Sequence, residues 1–146
     1  YEKQAILGIR LDGAAGDLTG GGNVSWIKRR DTPYVPSLLL YDGLVYYHRH
    51  YQGVLTCRKA ITGEPVYERA RLTGIGNVYA SPVAAAGRIY ITSLDGQTLV
   101  FSSGEKPEAL SLNKLDDSFS ASAALVEGAI ILRGDKSVYC IAEKGK

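Results

Sequence analysis

The strongest constraint on the fold is a pattern of short apolar runs separated by tight-turn signals, which is most complete in residues 35–72. The runs are rich in Val, Leu, Ile and Tyr, which are good strand formers. Turn signals separate them at Asp42-Gly43, at Gly53 and at Thr62-Gly63. Because such turns supply the bends that hairpins need, the segment predicts four antiparallel strands in one meander. We call this unit a blade.

The same pattern occurs twice more along the chain. Three serines begin the successive copies and three glycines close the first hairpin of each: Ser37, Ser81 and Ser122, then Gly43, Gly87 and Gly128. The glycines are 44 and then 41 residues apart, which matches the period of about 40 to 50 residues seen in β-propellers. The small residues Ala84, Ala85 and Ala86 suit an innermost strand, where blades crowd toward the axis. The sequence therefore predicts an all-β fold built from propeller blades.

The copies predict a single, partial β-propeller domain over residues 1–146. We place a half blade at 5–30, whole blades at 35–72 and 80–115, and an incomplete blade at 121–146. This makes about three and a quarter blades, whereas closed propellers have about four to eight. An open arc leaves apolar faces and strand edges uncovered. The ring is therefore incomplete unless the chain self-associates or belongs to a larger propeller.

Composition excludes several classes of function. The net charge is only +2, so we expect no nucleic-acid partner. The run Lys28-Arg29-Arg30 fits a solvated strand end better than a phosphate-binding patch. No apolar run approaches the length of a membrane-spanning helix and no signal peptide is recognisable, so we expect no membrane insertion. Since methionine is absent, we expect a processed product or an excised segment.

The two cysteines, Cys57 and Cys140, both occupy apolar strand contexts. The burial habit of cysteine in such contexts predicts two buried free thiols. They belong to third strands of blades separated by another blade, whereas the Cα atoms of a disulfide lie within about 7 Å. We therefore expect no disulfide within the chain.

Several segments resemble those of a known family. Residues 56–67, TCRKAITGEPVY, resemble the A-x-T-G-x-x-x-W turn of pyrroloquinoline-quinone-like (PQQ-like) repeat β-propellers. The blade openings at 34–37, 78–82 and 119–122 are similar to the repeated ASP strand start of that family. The resemblance covers nearly the whole chain and is closest to the C-terminal blades of secreted bacterial members. It implies an extracytoplasmic location, periplasmic or secreted.

The resemblance also implies roles for two aromatic residues. In the family, a Trp packs on the Thr-Gly turn of the neighbouring blade and docks the blades together. This chain has Trp26 in the half blade and Tyr67 at the corresponding place of the first whole blade. We expect both to be docking residues rather than parts of an active site.

Enzymatic members of the family bind PQQ and calcium and use a catalytic Asp, a constellation that a few blades cannot supply. PQQ and calcium therefore enter only by family analogy, and we predict no cofactor and no catalytic residues. Asp95, Asp116, Asp117 and Asp135 all occur in turns, where Asp caps its own backbone.

The candidate binding residues lie on loops that the meander places at one end of the blades. They are Tyr34, His48, His50, Asn77, Tyr79, Phe119 and Arg133. The aromatic residues Tyr34, Tyr79 and Phe119 occupy similar places and either line a binding funnel or plug the axis. His48 and His50 could share a metal if the segment is extended, but a solvated turn is the better interpretation because a zinc site needs more ligands.

The sequence thus predicts a non-enzymatic propeller module that acts as a protein-interaction or assembly scaffold. The alternative is a fragment of a quinoprotein oxidoreductase, or a small-molecule binder that uses the aromatic loops on one face.

Overall fold

Thirteen antiparallel strands form the secondary structure of residues 4–143, the part of the chain that the computed structural model describes. They make four separate sheets, each of consecutive strands. The first sheet pairs β1 (Ile6–Ile9) with β2 (Val24–Lys28). The second contains β3 (Leu39–Tyr41), β4 (Leu44–His48), β5 (Val54–Lys59) and β6 (Pro65–Arg71).

The third sheet contains β7 (Val83–Ala85), β8 (Arg88–Thr92), β9 (Gln97–Ser102) and β10 (Ala109–Lys114). The fourth contains only β11 (Ala124–Val126), β12 (Ala129–Arg133) and β13 (Val138–Ala142). The short first strands β3 and β11 both lie against β7, so they surround the common axis as innermost strands. The architecture is all-β, with meander sheets arranged as in a propeller.

The hairpin turns explain the strand boundaries locally. Gly43 and Gly87 adopt φ angles of 74° and 71°, and the residues before them, Asp42 and Ala86, also have positive φ. Two successive residues with positive φ make the turn whose twist matches a two-residue hairpin. The first hairpins of the second and third sheets are thus determined by their own residues.

The main hydrophobic core lies between the second and third sheets. Tyr46, Leu55 and Cys57 come from one sheet, and Ile89 and Phe101 from the other. The connection between the sheets adds apolar residues to the same core: Leu72, Ile75 and Val78. Burial of each large apolar side chain contributes roughly 1.5 to 3 kcal/mol. Packing of one blade on the next therefore stabilises each sheet, which could not bury its apolar face alone.

Trp26 docks the first sheet on the second. Its indole Nε1 donates a hydrogen bond to the carbonyl oxygen of Ala60 at 2.9 Å. The ring lies against Gly8 of its own sheet and Gly63 of the next, and a Cβ at either glycine would clash with it. Lys28 adds an ion pair to Glu68, with Nζ and Oε1 2.9 Å apart. Trp26 therefore packs on the Thr62-Gly63 turn of the next sheet, as the family resemblance implies.

Tyr67 does not cover a turn of the next sheet as Trp26 does, although it contributes to the packing between the second and third sheets. It pairs with Cys57 across the strands and packs against the core. A Cβ at Gly104, in the corresponding turn of the third sheet, would meet open space, so no ring covers that turn. Instead Tyr46 accepts a hydrogen bond from the Gly104 N–H at 2.8 Å. Tyr41 accepts another from the Gly87 N–H at 2.9 Å.

The cysteines are free, as expected, but only one is buried. Cys57 is fully enclosed in the core, whereas Cys140 is exposed. The expectation of burial fails for Cys140 because alternation along β13 turns it away from the third sheet. Among residues 4–143 no helix is long and apolar enough to cross a membrane.

Candidate functional site

The loops at one end of the sheets are held together by backbone hydrogen bonds. Backbone groups in the segment that leads into the second, third or fourth sheet form hydrogen bonds with the loop after the second strand. This loop belongs either to the same sheet or to the preceding one. These bonds join His50 N–H to Thr32 O (2.9 Å), Val78 N–H to Tyr51 O (2.7 Å), Leu94 N–H to Asn77 O (2.8 Å), Phe119 N–H to Leu94 O (3.3 Å) and Asp135 N–H to Ser118 O (3.0 Å). The predicted clustering of these loops at one end is therefore present in the structure.

Three tyrosines form an exposed row on this end, which we call the tyrosine row. Tyr51 lies between Tyr34 and Tyr79, with ring centroids 6.5 Å and 6.1 Å apart and interplanar angles of 71° and 74°. Edge-to-face geometry of this kind is favourable for aromatic rings. The three side chains are 46%, 40% and 37% exposed for Tyr34, Tyr51 and Tyr79. Tyr51 was not among the predicted binding residues, although its place as an aromatic residue in a polar turn was a signal for it.

Phe119 does not belong to this row. It is fully buried, and its ring packs on Tyr139 with centroids 5.6 Å apart. The predicted equivalence was one residue out of register, because Val78, not Tyr79, matches Phe119. Both Val78 and Phe119 donate their N–H to a turn of the preceding sheet, and both are buried. For Phe119, packing against β13 replaces the exposed binding role that the sequence suggested.

His48 and His50 lie in different environments. His48 ends β4 and is completely buried, with Nδ1 3.2 Å from the carbonyl oxygen of Gln52. Burial lowers the pKa of His48 to about 4, so the ring is neutral at pH 7. His50 is exposed and has a φ of 52°. The interpretation of His48 as part of a solvated turn is wrong because β4 continues through it and pairs it with Leu55.

The two histidines therefore cannot hold a metal on one face. Within residues 4–143, no group of three or more His, Cys, Asp or Glu side chains could bind a metal ion.

Asn77 and Arg133 are both exposed but lie at different sheets. Asn77 is beside the tyrosine row, in the connection that precedes Tyr79. Arg133 ends β12 in the fourth sheet, and within the described residues its side chain makes no hydrogen bond or ion pair. The structure thus brings Tyr34, His50, Asn77 and Tyr79 to the same loops, where the Tyr34 N–H donates to the His50 carbonyl oxygen. His48, Phe119 and Arg133 lie outside that group.

Asp117 caps the last turn, in agreement with the turn role predicted for it. Its carboxylate accepts hydrogen bonds from the N–H groups of Ser118 (2.7 Å), Lys136 (3.1 Å) and Ser137 (3.1 Å) and from the hydroxyl of Tyr139 (3.1 Å). Partial burial opposes ionisation, but these donors outweigh it and hold the pKa of Asp117 below its usual range. The carboxylate is structural, since all these donors fix the turn.

A second candidate site is an open apolar groove between the third and fourth sheets. Its volume is about 400 Å³, and Tyr90, Val100, Leu132 and Ile141 line it. One wall is β13, whose other edge pairs with no strand among the described residues. On this strand Val138 is 70% exposed and Ile141 is 46% exposed. The groove therefore adjoins the sheet edge at which the second and third sheets carry a fourth strand.

Comparisons with known proteins identify the fold. No protein-family model matches the sequence, and no curated protein matches it. The crystal structure of BamB from Moraxella catarrhalis matches with a TM-score of 0.61 and 18% identity over 84% of this chain. The computationally designed protein Ika8 matches with a TM-score of 0.56 and 15% identity over 75% of this chain.

The chain spans 37% of the length of BamB and 32% of the length of Ika8. Together with the four meander sheets, this similarity establishes a β-propeller-like fold.

Proposed function

We propose that the chain is a non-enzymatic propeller module of the PQQ-like repeat type that acts as a protein-interaction or assembly scaffold. The observation that carries this proposal is the three-stranded fourth sheet with its open edge and adjoining groove. Its partner is a second copy of the chain or the remainder of a larger propeller. An extracytoplasmic location is part of the proposal.

The geometry of β13 supports addition of a strand. Five residue pairs join β13 to β12, while its outer N–H and C=O groups have no strand partner among the described residues. A strand added there would satisfy these groups and cover Ile141 and the groove behind it. Addition of a strand to an open sheet edge is a common mode of protein recognition.

The opposite end of the arc offers a different apolar surface. Leu7, Ile9 and Ile27 on the first sheet are 46%, 45% and 47% exposed. Alternation places Leu7 and Ile27 on the face opposite Gly8 and Trp26, which meet the second sheet. Two unlike end surfaces favour head-to-tail contacts, which close into a ring if the rotation permits.

Light scattering after size-exclusion chromatography tests this proposal. We expect the wild-type chain to elute at a multiple of its 15.7 kDa mass at micromolar concentration. Ile141→Asp should shift the mass toward the monomer, because it places a charge at the groove. Ile61→Asp is the matched control, since Ile61 is 82% exposed in the turn after β5. A wild-type chain that stays monomeric and soluble at high concentration would contradict self-association.

A second candidate function is small-molecule binding, and the tyrosine row is the observation that favours it. Exposed aromatic rings on rigid loops are frequent in binding sites. PQQ with calcium is the probe suggested by the family resemblance. A thermal shift with this mixture that Tyr51→Ala abolishes would support the binder, as would dye-linked oxidation. Under the scaffold proposal we expect neither.

A further inference from the structure

An arginine-rich cavity lies where the connection after β2 meets the second sheet, and no function above uses it. Its volume is about 340 Å³. The arginines in its wall come from three separate parts of the chain: Arg29 and Arg30 from the connection, Arg49 from the turn after β4, and Arg69 from β6. Among the described residues of the lining Asp31 is the one acidic residue, so these side chains carry a formal charge of +3. We call this cavity the arginine pocket.

Asp31 orients two of the four guanidinium groups. Its Oδ1 lies 3.1 Å from Arg49 Nε, and its Oδ2 accepts hydrogen bonds from Arg69 Nε and Nη2 at 3.0 Å and 2.7 Å. The Asp31 side chain is 12% exposed, whereas those of Arg49 and Arg69 are 44% and 63% exposed. The carboxylate thus lies beneath the guanidinium groups and leaves their outer N–H donors directed to solvent or to a ligand.

The backbone around the pocket is held in an unusual conformation. Asp31, His50 and Arg69 have φ angles of 57°, 52° and 56°, and they make up three of the five non-glycine residues with positive φ in residues 4–143. Such conformations are unfavourable for residues other than glycine and persist where surrounding contacts fix them. Here the fixing contacts include the bond from His50 N–H to Thr32 O and the Asp31 ion pairs. The strain is concentrated where the arginines converge.

The charges in the pocket are not balanced within the described residues. Asp31 offsets one arginine, and the Arg29 and Arg30 side chains make no ion pair or hydrogen bond there. Four gathered guanidinium groups repel one another, and a bound anion would offset that repulsion. The planar fork of Arg matches phosphate and carboxylate oxygens in two-point contacts. A net charge of +3 suits a dianion better than a single carboxylate.

We propose that the arginine pocket binds a phosphate group, either as free phosphate or as the phosphomonoester of a small molecule. The volume is near the lower end for ligand pockets, which fits a compact anion rather than a large apolar ligand. The pocket lies between the first and second sheets, away from the groove at β13, so its occupancy does not depend on ring closure. This assignment differs from the solvated strand end expected for Lys28-Arg29-Arg30, because Arg49 and Arg69 join the run only in the folded chain.

Isothermal titration calorimetry of the full chain tests the proposal with two probes, inorganic phosphate and glycerol 3-phosphate, at low and constant ionic strength. We expect saturable binding to one site per chain. Arg29→Gln and Arg30→Gln should each weaken it roughly tenfold, since each removes a charge-assisted contact. Both side chains are exposed, and each change also relieves repulsion among the guanidinium groups, so neither variant should unfold at a lower temperature than the wild type in the absence of phosphate.

Arg88→Gln is the matched control, because Arg88 is exposed on the third sheet, far from the pocket in the fold. It should bind both probes as the wild type does. Binding of glycerol 3-phosphate alone would identify a phosphomonoester as the ligand, and binding of both would identify the phosphate group itself. No binding above that of chloride, or equal weakening by Arg88→Gln, would overturn the proposal.

Discussion

Ser81 donates its backbone N–H to the hydroxyl oxygen of Ser122 at 2.9 Å, a hydrogen bond that joins the third sheet to the fourth. An equivalent hydrogen bond joins the second sheet to the third, where the Ser37 N–H donates to the Ser81 hydroxyl oxygen at 2.9 Å. Each serine precedes the innermost strand of its sheet, so one line of hydrogen bonds passes from one blade to the next around the axis. The Ser37 hydroxyl and the Ser122 N–H are the ends of this line, which a further blade on either side could extend.

Replacing Ser81 with Ala should destabilise the fold measurably. The change removes the acceptor for the Ser37 N–H, and the net loss for one hydrogen bond is about 1 kcal/mol. Urea unfolding of Ser81→Ala and of the control Ser120→Ala would measure it. Ser120 is exposed and its side chain makes no hydrogen bond among the described residues, so its variant should match the wild type. Equal midpoints for the two variants would refute the structural role of this line.

The contact between Trp26 and Gly63 predicts that a single methyl group added at Gly63 lowers the free energy of unfolding. Gly63→Ala places a Cβ against the indole and also forces Ala into a φ of 72°. Gly43→Ala is the matched control, because Gly43 has a φ of 74° with open space around it and incurs only the backbone cost of about 1 kcal/mol. We expect Gly63→Ala to be the more destabilising of the two by about 2 kcal/mol or more in urea unfolding. Equal destabilisation would show that the indole moves aside freely.

Trp26→Phe separates packing from hydrogen bonding at the same contact. The Phe ring keeps an aromatic surface over Gly63 but cannot donate to the Ala60 carbonyl, which costs about 1 kcal/mol. Trp26→Ala removes both and should cost roughly 3 to 5 kcal/mol if the half blade stays docked in the folded state. Calorimetry or urea unfolding followed by far-ultraviolet circular dichroism measures both losses. A Trp26→Ala variant that unfolds like the wild type would show that the first sheet contributes nothing to global stability.

Local sequence determines the strands and turns, which is why the all-β fold and its period are predictable. Asp42 with Gly43, and Gly87 in the next copy, dictate their hairpins through backbone conformations that few other residues adopt. The docking of Trp26 on the Thr62-Gly63 turn was implied by the family resemblance, and the ring fits there because Gly63 carries no side chain. The hairpins need no knowledge of distant parts of the chain.

Whether a given side chain is buried depends on how the blades pack against one another. The sequence alone was insufficient to predict that packing. The polar surroundings of His48 suggested a solvated turn, yet the strand continues through it and its side chain points into the fold. Phe119 and Tyr79 differ by one residue in register, which exchanges a buried position for an exposed one. The arginine pocket was not predictable because Arg49 and Arg69 lie far along the chain from Arg29 and meet it only through the second sheet.

Stability should fall in mildly acidic solution because of His48. Its pKa is about 4 in the folded chain against about 6.5 when exposed, since burial disfavours the charged ring. Between pH 6.5 and 4 the unfolded chain therefore binds a proton that the folded chain does not, and the free energy of unfolding decreases as the pH falls. The total loss is about 3 kcal/mol, and it is absent above the unfolded pKa.

Urea unfolding between pH 4 and 8 measures this decrease, and His48→Gln should flatten it, whereas the control His50→Gln should retain it. Proton NMR of the two imidazole rings gives a direct check that requires no unfolding. A His48 ring that titrates near pH 6.5 in the folded chain would contradict its burial.

The two cysteines should react at very different rates. Cys57 is fully buried, and burial raises its thiol pKa to about 11, so little reactive thiolate is present at pH 7. Cys140 is exposed on the outward face of the fourth sheet. Maleimide labelling followed by mass spectrometry should therefore add one label per native chain, and unfolding should expose the second thiol.

Cys140→Ser should abolish the rapid maleimide labelling of the native chain, and Cys57→Ser should retain it. The two variants thus show which thiol reacts rapidly. The fast rate also reports on assembly, because a partner that covers the outward face of the fourth sheet would protect Cys140. We expect its labelling to slow as the chain concentration rises through the range in which light scattering detects association. A rate independent of concentration in a sample that is demonstrably oligomeric would place the interface elsewhere, and no labelling even after unfolding would show that the two thiols form a disulfide.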